Sequence, residues 1–191
     1  MGAVHAAYRL GDNHRVDLEK LHAINNFLAV SDDMATAGQP TAEQFSLIAL
    51  AGFQAVINLA MPDSDGALDD EADVVQLSNM HYAHIPVMWN APSIADVEKF
   101  FAALDKHQGQ KIFVHCAANK RTAVFVFLYR VIKIQQPCTE VFSDVMKIWT
   151  PDVPWTNFIE QALNHYDAQG SAQAKGSARG RKPEAAKFGN H

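Results

Sequence analysis

The 191-residue chain is 48% hydrophobic and 19% charged, ordinary for a globular protein and long enough to bury one good core. Its formal net charge of −5 offers no basic excess to attract nucleic acid. No apolar run reaches membrane-spanning length, and the first residues, MGAVHAAYRLGDNHRVDLEK, lack the apolar stretch of a signal peptide. Only Cys116 and Cys138 carry thiols, and a chain this size needs no disulfide, which predicts reduced thiols in a cytoplasm.

In chain order, residues 1–26 are weakly patterned and read as a loosely docked arm with a helical turn in DLEKLHAI. FLAVS (27–31) and MATAGQP (34–40) are short extended pieces, after which Thr41 caps a helix that Gly52 closes. QAVINLA (54–60) is a near-continuous β-branched run, as expected of a strand covered on both faces. The loop MPDSDGALDD leads to a helix at about 70–79, then to a strand in HYAHIPV (81–87) and the loop MWNAPS. Ser93 with Asp96 marks the start of the next helix, whose inner face holds Ile94, Val97, Phe101 and Leu104.

KIFVHC is a further strand, and AVFVFLYRVI belongs to a helix so apolar that it must be buried. Two more helices follow near 138–149 and 154–167, with Trp149 and Trp155 placed to lock them together. From Ala168 onward the chain is Gly-, Ser- and Ala-rich with scattered Lys and Arg, which predicts a disordered, solvated basic tail over 168–191. The expected fold class is α/β, a central mostly parallel sheet flanked by helices on both faces, within a domain spanning 27–167.

The chemistry concentrates in VHCAANKRTAVF, residues 114–125. In an open α/β sheet, ligands bind beyond the carboxyl ends of the strands, where Cys116 falls, with Arg121 opening the next helix. The backbone of Ala117, Ala118, Asn119 and Lys120 must curl between them, turning N–H groups inward ahead of the positive helix end. That is an anion cradle, and the same field favours the thiolate of Cys116 over the thiol. Arg121 contributes a planar fork for a tetrahedral oxyanion. The Thr122 hydroxyl is able to serve the sulfur, and Asn119 suits a left-handed turn. Lys120 either attracts anions or faces water. Set against the bland alternative of a small buried cysteine, the strand–loop–helix context favours a nucleophile beside an oxyanion clamp.

HCAANKRT resembles the phosphate-binding loop of cysteine-dependent protein phosphatases. Together with TAGQPTAEQF, GFQAVINLA and YAHIPV it is similar to bacterial dual-specificity-phosphatase-like proteins, including the phosphatase-like domain of beta-lactamase-hydrolase-like proteins. The resemblance covers residues 28–165. It implies a protein tyrosine phosphatase-like fold and hydrolysis of a phosphorylated protein or small molecule. Cys116 would form a cysteinyl-phosphate, Arg121 would hold the equatorial oxygens, and His115 would tune the thiol from behind. It implies no metal or other cofactor.

Two departures keep alternatives open. Four residues, not five, separate Cys116 from Arg121, a loop length that resembles rhodanese-type sulfurtransferases. Asn90 stands where related phosphatases place an acidic aspartate, which leaves room for a non-catalytic phospho-ligand binding module. Asp96 is the nearest carboxylate and the candidate acid, although helix capping is its plainer role. Asp63, Asp65 and Glu71 lie on or after another loop at the same sheet edge. His81 and His84, three apart on a strand, point to opposite faces and make a poor metal pair. Trp89 either flanks a substrate or anchors its loop. Cys138 reads as structural, and oligomeric state has no signature.

Overall fold

The structure, a computed structural model, describes residues 20–179. Five short strands form one sheet: β1 (Leu28–Ser31), β2 (Met34–Ala37), β3 (Ala55–Asn58), β4 (His81–His84) and β5 (Ile112–His115). Their order is β1-β2-β5-β3-β4; β1 runs antiparallel to β2, and every other neighbouring pair is parallel. The central strand is therefore β5, with all four residues buried, and its carboxyl end delivers Cys116. The expected α/β sheet flanked by helices is the fold observed.

Among the described residues, six helices pack around the sheet after β2: α1 (Ala42–Leu50), α2 (Glu71–Leu77), α3 (Ile94–Lys106), α4 (Lys120–Ile132), α5 (Cys138–Ile148) and α6 (Val153–Arg179). Thr41 and Ser93 both form full capping boxes, with Gln44 and Asp96 respectively returning the hydrogen bond. Gly52, at φ 88°, closes the first helix in the left-handed conformation that its residue type makes cheap.

Strand alternation divides the interior into two cores. Ile112, Val114 and Cys116 face a large core with Phe100, Phe125, Phe127, Leu128 and Trp155 from α3, α4 and α6. Phe113 faces the opposite core, built from Phe45 and Ile48 of α1, Val75 of α2 and the strand residues Ala35 and Val56. Each fully buried phenylalanine contributes on the order of 1.5–3 kcal/mol of apolar burial, so the buried helix α4 and the strand beside it are the best-secured part of the fold. Arg130 of α4 also pairs with Asp144 of α5 at 2.6 Å.

Two boundaries differ from expectation. Residues 20–26 are not loosely docked: Leu21 and Ile24 are buried in the second core, so packed structure begins before residue 27. Residues 1–19, the rest of the expected arm, lie outside the described residues. At the other end, α6 does not stop at 167 but continues to Arg179. The segment 168–179 has Ala as its commonest residue, with Gln, Lys and Arg beside its Gly and Ser, and extending an existing helix avoids the nucleation cost that composition alone cannot weigh. Residues 180–191, where the rest of the expected tail falls, lie outside the description. No described helix is long and apolar enough to cross a membrane.

Candidate active site

The loop between β5 and α4 brings Cys116 and Arg121 to one pocket of about 220 Å³, lined by Trp89, Cys116, Ala117, Ala118, Lys120 and Arg121. Backbone bonds fix both ends of the turn: Cys116 N donates to Ala37 O at 3.3 Å, and Gln39 N donates to Ala117 O at 3.1 Å. Asn119 takes the left-handed conformation at φ 62°, as its residue type suggested, and caps α4. Its side chain is turned away from the lining: Nδ2 donates to Asn26 O at 2.6 Å and to Thr36 Oγ1 at 3.0 Å. Of the loop, then, Asn119 shapes the turn through its backbone while its amide braces the turn from outside.

Arg121 is 9% exposed, and its guanidinium rests over the Trp89 ring at 5.9 Å. Nη1 reaches Leu59 O only at 3.5 Å, and Nε has no partner. The Thr122 hydroxyl is fully buried and also unpartnered. Buried donors without acceptors are costly, on the order of 1–3 kcal/mol each; of the buried atoms left unpartnered among the described residues, which include His115 Nδ1, Trp149 Nε1 and Trp155 Nε1, Arg121 Nε is the one on a residue that lines the pocket. Lys120 lines the pocket with its ammonium 5.6 Å above the Trp149 ring. Trp89 lines the pocket and packs on Trp149 and Trp155 at 5.3 and 5.1 Å, which anchors its loop. Trp149 and Trp155 meet edge to face at 6.0 Å, joining the end of α5 to α6.

His115 and Cys116 are neighbours in sequence, and strand alternation sends them to opposite faces. His115 is fully buried against Phe45, and its Nε2 lies 3.1 Å from Glu71 Oε1. The same carboxylate oxygen accepts from Asn58 Nδ2 at 2.7 Å and from Tyr82 Oη at 2.9 Å. The other carboxylate oxygen accepts from Gln39 Nε2. Burial alone pushes the Glu71 carboxyl up, but the hydrogen bond and charge of His115, with the Gln39 and Tyr82 donors, together hold it below the usual carboxylate range. Tyr82 is pushed the other way, by burial first and then by the Glu71 charge.

Glu71 is thus the residue that sequence reasoning undervalued. It was one of three carboxylates on or after a loop, whereas the structure buries it at 4% exposure as the hub behind His115. The available signal was its position at the start of a helix near the carboxyl ends of the strands; nothing local marked it as buried.

The remaining candidates separate cleanly. Asp96 is committed to its helix start: Oδ2 accepts from Ser93 N at 3.1 Å and Ser93 Oγ at 2.7 Å, and it is not among the pocket-lining residues. The acid role expected of it has no support in this geometry, because capping already claims the carboxylate. Asn90 is exposed, as are Asp63 and Asp65 on the loop after β3. None of the six lining residues is a carboxylic acid. His84 Nε2 is 2.8 Å from Ala60 O, and His81 packs beside His107. Cys138 is exposed at the start of α5.

Known proteins share this fold. Residues 16–170 match the family model described as "DSP-PTPase phosphatase fused to NAD+ Kinase". The structure is similar to a DUF442 protein of Shewanella putrefaciens CN-32, with a TM-score of 0.71 and 33% identity, covering 78% of this chain and 98% of that one. It is also similar to the core catalytic domain of the PP-IP phosphatase SIW14 of S. cerevisiae, at TM-score 0.60 and 16% identity, covering 72% and 85% of the two chains; that likeness is one of fold. A beta-lactamase hydrolase-like protein of Xylella fastidiosa is 27% identical over 107 residues, 54% of this chain. The match spans only 24% of that curated relative. By the extent of the family match and the Shewanella likeness, this chain belongs to the DSP-PTPase phosphatase family whose description joins it to NAD+ kinase.

Proposed function

We propose that the protein hydrolyses phosphate monoesters through a cysteinyl-phosphate on Cys116. The observation that carries this reading is the pairing of Cys116 with a buried Arg121 in one pocket, Nε of Arg121 having no partner of its own. Sγ attacks phosphorus, the S–P bond forms and the ester P–O bond breaks. The planar guanidinium and the loop amides ahead of α4 take up charge on the phosphoryl oxygens. Water then attacks phosphorus, releasing phosphate and restoring the thiolate. The Thr122 hydroxyl, buried without an acceptor, is the group suited to stabilise the departing sulfur.

Because none of the described lining residues is an acid, the leaving oxygen takes its proton from solvent, which restricts fast turnover to esters with good leaving groups, aryl phosphates first. The four-residue spacing from Cys116 to Arg121 favours a second reading, sulfur transfer through a persulfide. One experiment separates them: phosphate release from an activated aryl phosphate near pH 6 with chelator present, for wild type and Cys116→Ser, alongside a thiosulfate assay. Phosphate release by wild type that Cys116→Ser loses is the expected result. Thiosulfate turnover without phosphate release rejects the phosphatase reading.

A further inference from the structure

The residues just before β1 bear directly on the cysteine loop. Leu21 and Ile24 are buried in the second core and anchor residues 20–26 beside the loop. From that anchor Asn26 Nδ2 donates to Ala118 O at 3.1 Å, and Asn119 Nδ2 returns a bond to Asn26 O at 2.6 Å. One residue earlier, Asn25 O accepts from Gly38 N at 2.7 Å, and Gln39 N in turn ties Ala117 O. A Cβ on Gly38 would sit 2.9 Å from Ala117 O and 3.1 Å from Asn25 O, so only glycine lets the three segments close on one another.

These bonds act on peptide planes. Because a peptide is planar and trans, a tied carbonyl fixes the amide of the following residue. Holding the carbonyls of Ala117 and Ala118 therefore sets the planes that carry the amides of Ala118 and Asn119. A loop binds an oxyanion well only when such dipoles are set before the ligand arrives.

We propose that Asn26 is a positioning residue for the cysteine loop, its side-chain amide holding the Ala118 carbonyl so that the loop is preset for a tetrahedral oxyanion. The proposal rests on the phosphate-ester reading above. Asn26 lies outside the pocket lining, is exposed, and acts through Ala118. Its φ of 51° makes Asn26→Gly an informative change, since glycine keeps the backbone conformation and removes only the amide.

The test compares the full chain with Asn26→Gly in tungstate binding by calorimetry, in aryl phosphate kinetics, and in hydrogen exchange over residues 116–121. Loss of one neutral hydrogen bond is expected to raise the tungstate Kd about fivefold. KM should rise in parallel, exchange at 117–119 should quicken, and Tm should fall by less than about 4 °C. Wild-type tungstate affinity together with wild-type exchange in the variant overturns the proposal. A wild-type chain that neither turns over aryl phosphate nor binds tungstate sinks the functional reading instead. Exchange then judges the clasp alone: faster exchange in Asn26→Gly upholds it, and unchanged exchange rejects it.

Discussion

His115 and Cys116 open onto two faces of the same strand, and those faces are finished differently. Behind the sheet, Glu71 collects four donors, from His115, Asn58, Tyr82 and Gln39, and both carboxylate oxygens are engaged, although His115 Nδ1 and Gln39 Oε1 are left without partners. In front, Arg121 Nε and Thr122 Oγ1 are buried with nothing to bond. Saturated polar networks hold a shape, while unsatisfied ones cost stability and persist where a ligand completes them. The difference lies in what each face gathers: the rear face centres its donors on one carboxylate behind the strand end, while the front face sets a buried cation, Arg121, beside Cys116 in the pocket.

The largest expected effect breaks the front face. Arg121→Lys keeps the positive charge but loses the bidentate fork, and kcat/KM for an aryl phosphate should fall on the order of 10²-fold. The folded fraction should hardly change, as read by circular dichroism. A loss below threefold would mean that charge alone, not the fork, serves the site.

The next change breaks the rear face. Glu71→Gln turns an acceptor-only group into one that presents an NH₂ to surrounding donors, and it should destabilise by about 1–3 kcal/mol in denaturant melts. Its pH dependence has a definite sign. The Glu71 carboxyl sits below its ordinary value of 4.5 in the fold, so its contribution is fully present above that pH. The gap between wild type and variant should therefore shrink as pH falls below 4.5 through the folded value. A gap that stays constant to pH 3 would show that the carboxylate is not the stabilising species.

The smallest effect sharpens the contrast between site and scaffold. Asp96→Asn should leave the pH profile of turnover unchanged and cost about 0.5–1 kcal/mol through the weakened capping box of α3. A flattened acidic limb would instead restore Asp96 to the chemistry.

The signals that served well in the sequence were local ones. Capping residues Thr41 and Ser93 announced their helices, the apolar runs announced β3 and β5, and the strand–loop–helix pattern around Cys116 announced the turn that brings Cys116 and Arg121 to one pocket ahead of α4. Each depends on chemistry within a few residues, and Asn119 at φ 62° is the clearest instance. The same local reasoning faltered where tertiary partners decided. It left residues 20–26 in a loose arm, because nothing in them shows that Leu21 and Ile24 find the core or that Asn26 meets Ala118.

Glu71 and Asp96 make the division plain. Both are acids at the start of a helix, and the sequence offered more reason to notice Asp96. Strand order decided otherwise: placing β5 between β2 and β3 brings His115 against α2, which buries Glu71, while α3 begins away from the pocket. The sequence by itself determined the elements and the pairing of Cys116 with Arg121, because spacing along a strand–loop–helix unit suffices to juxtapose them. Tertiary structure alone decided which carboxylate stands behind the loop and which segment braces it, because those contacts join residues 44 and 92 positions apart.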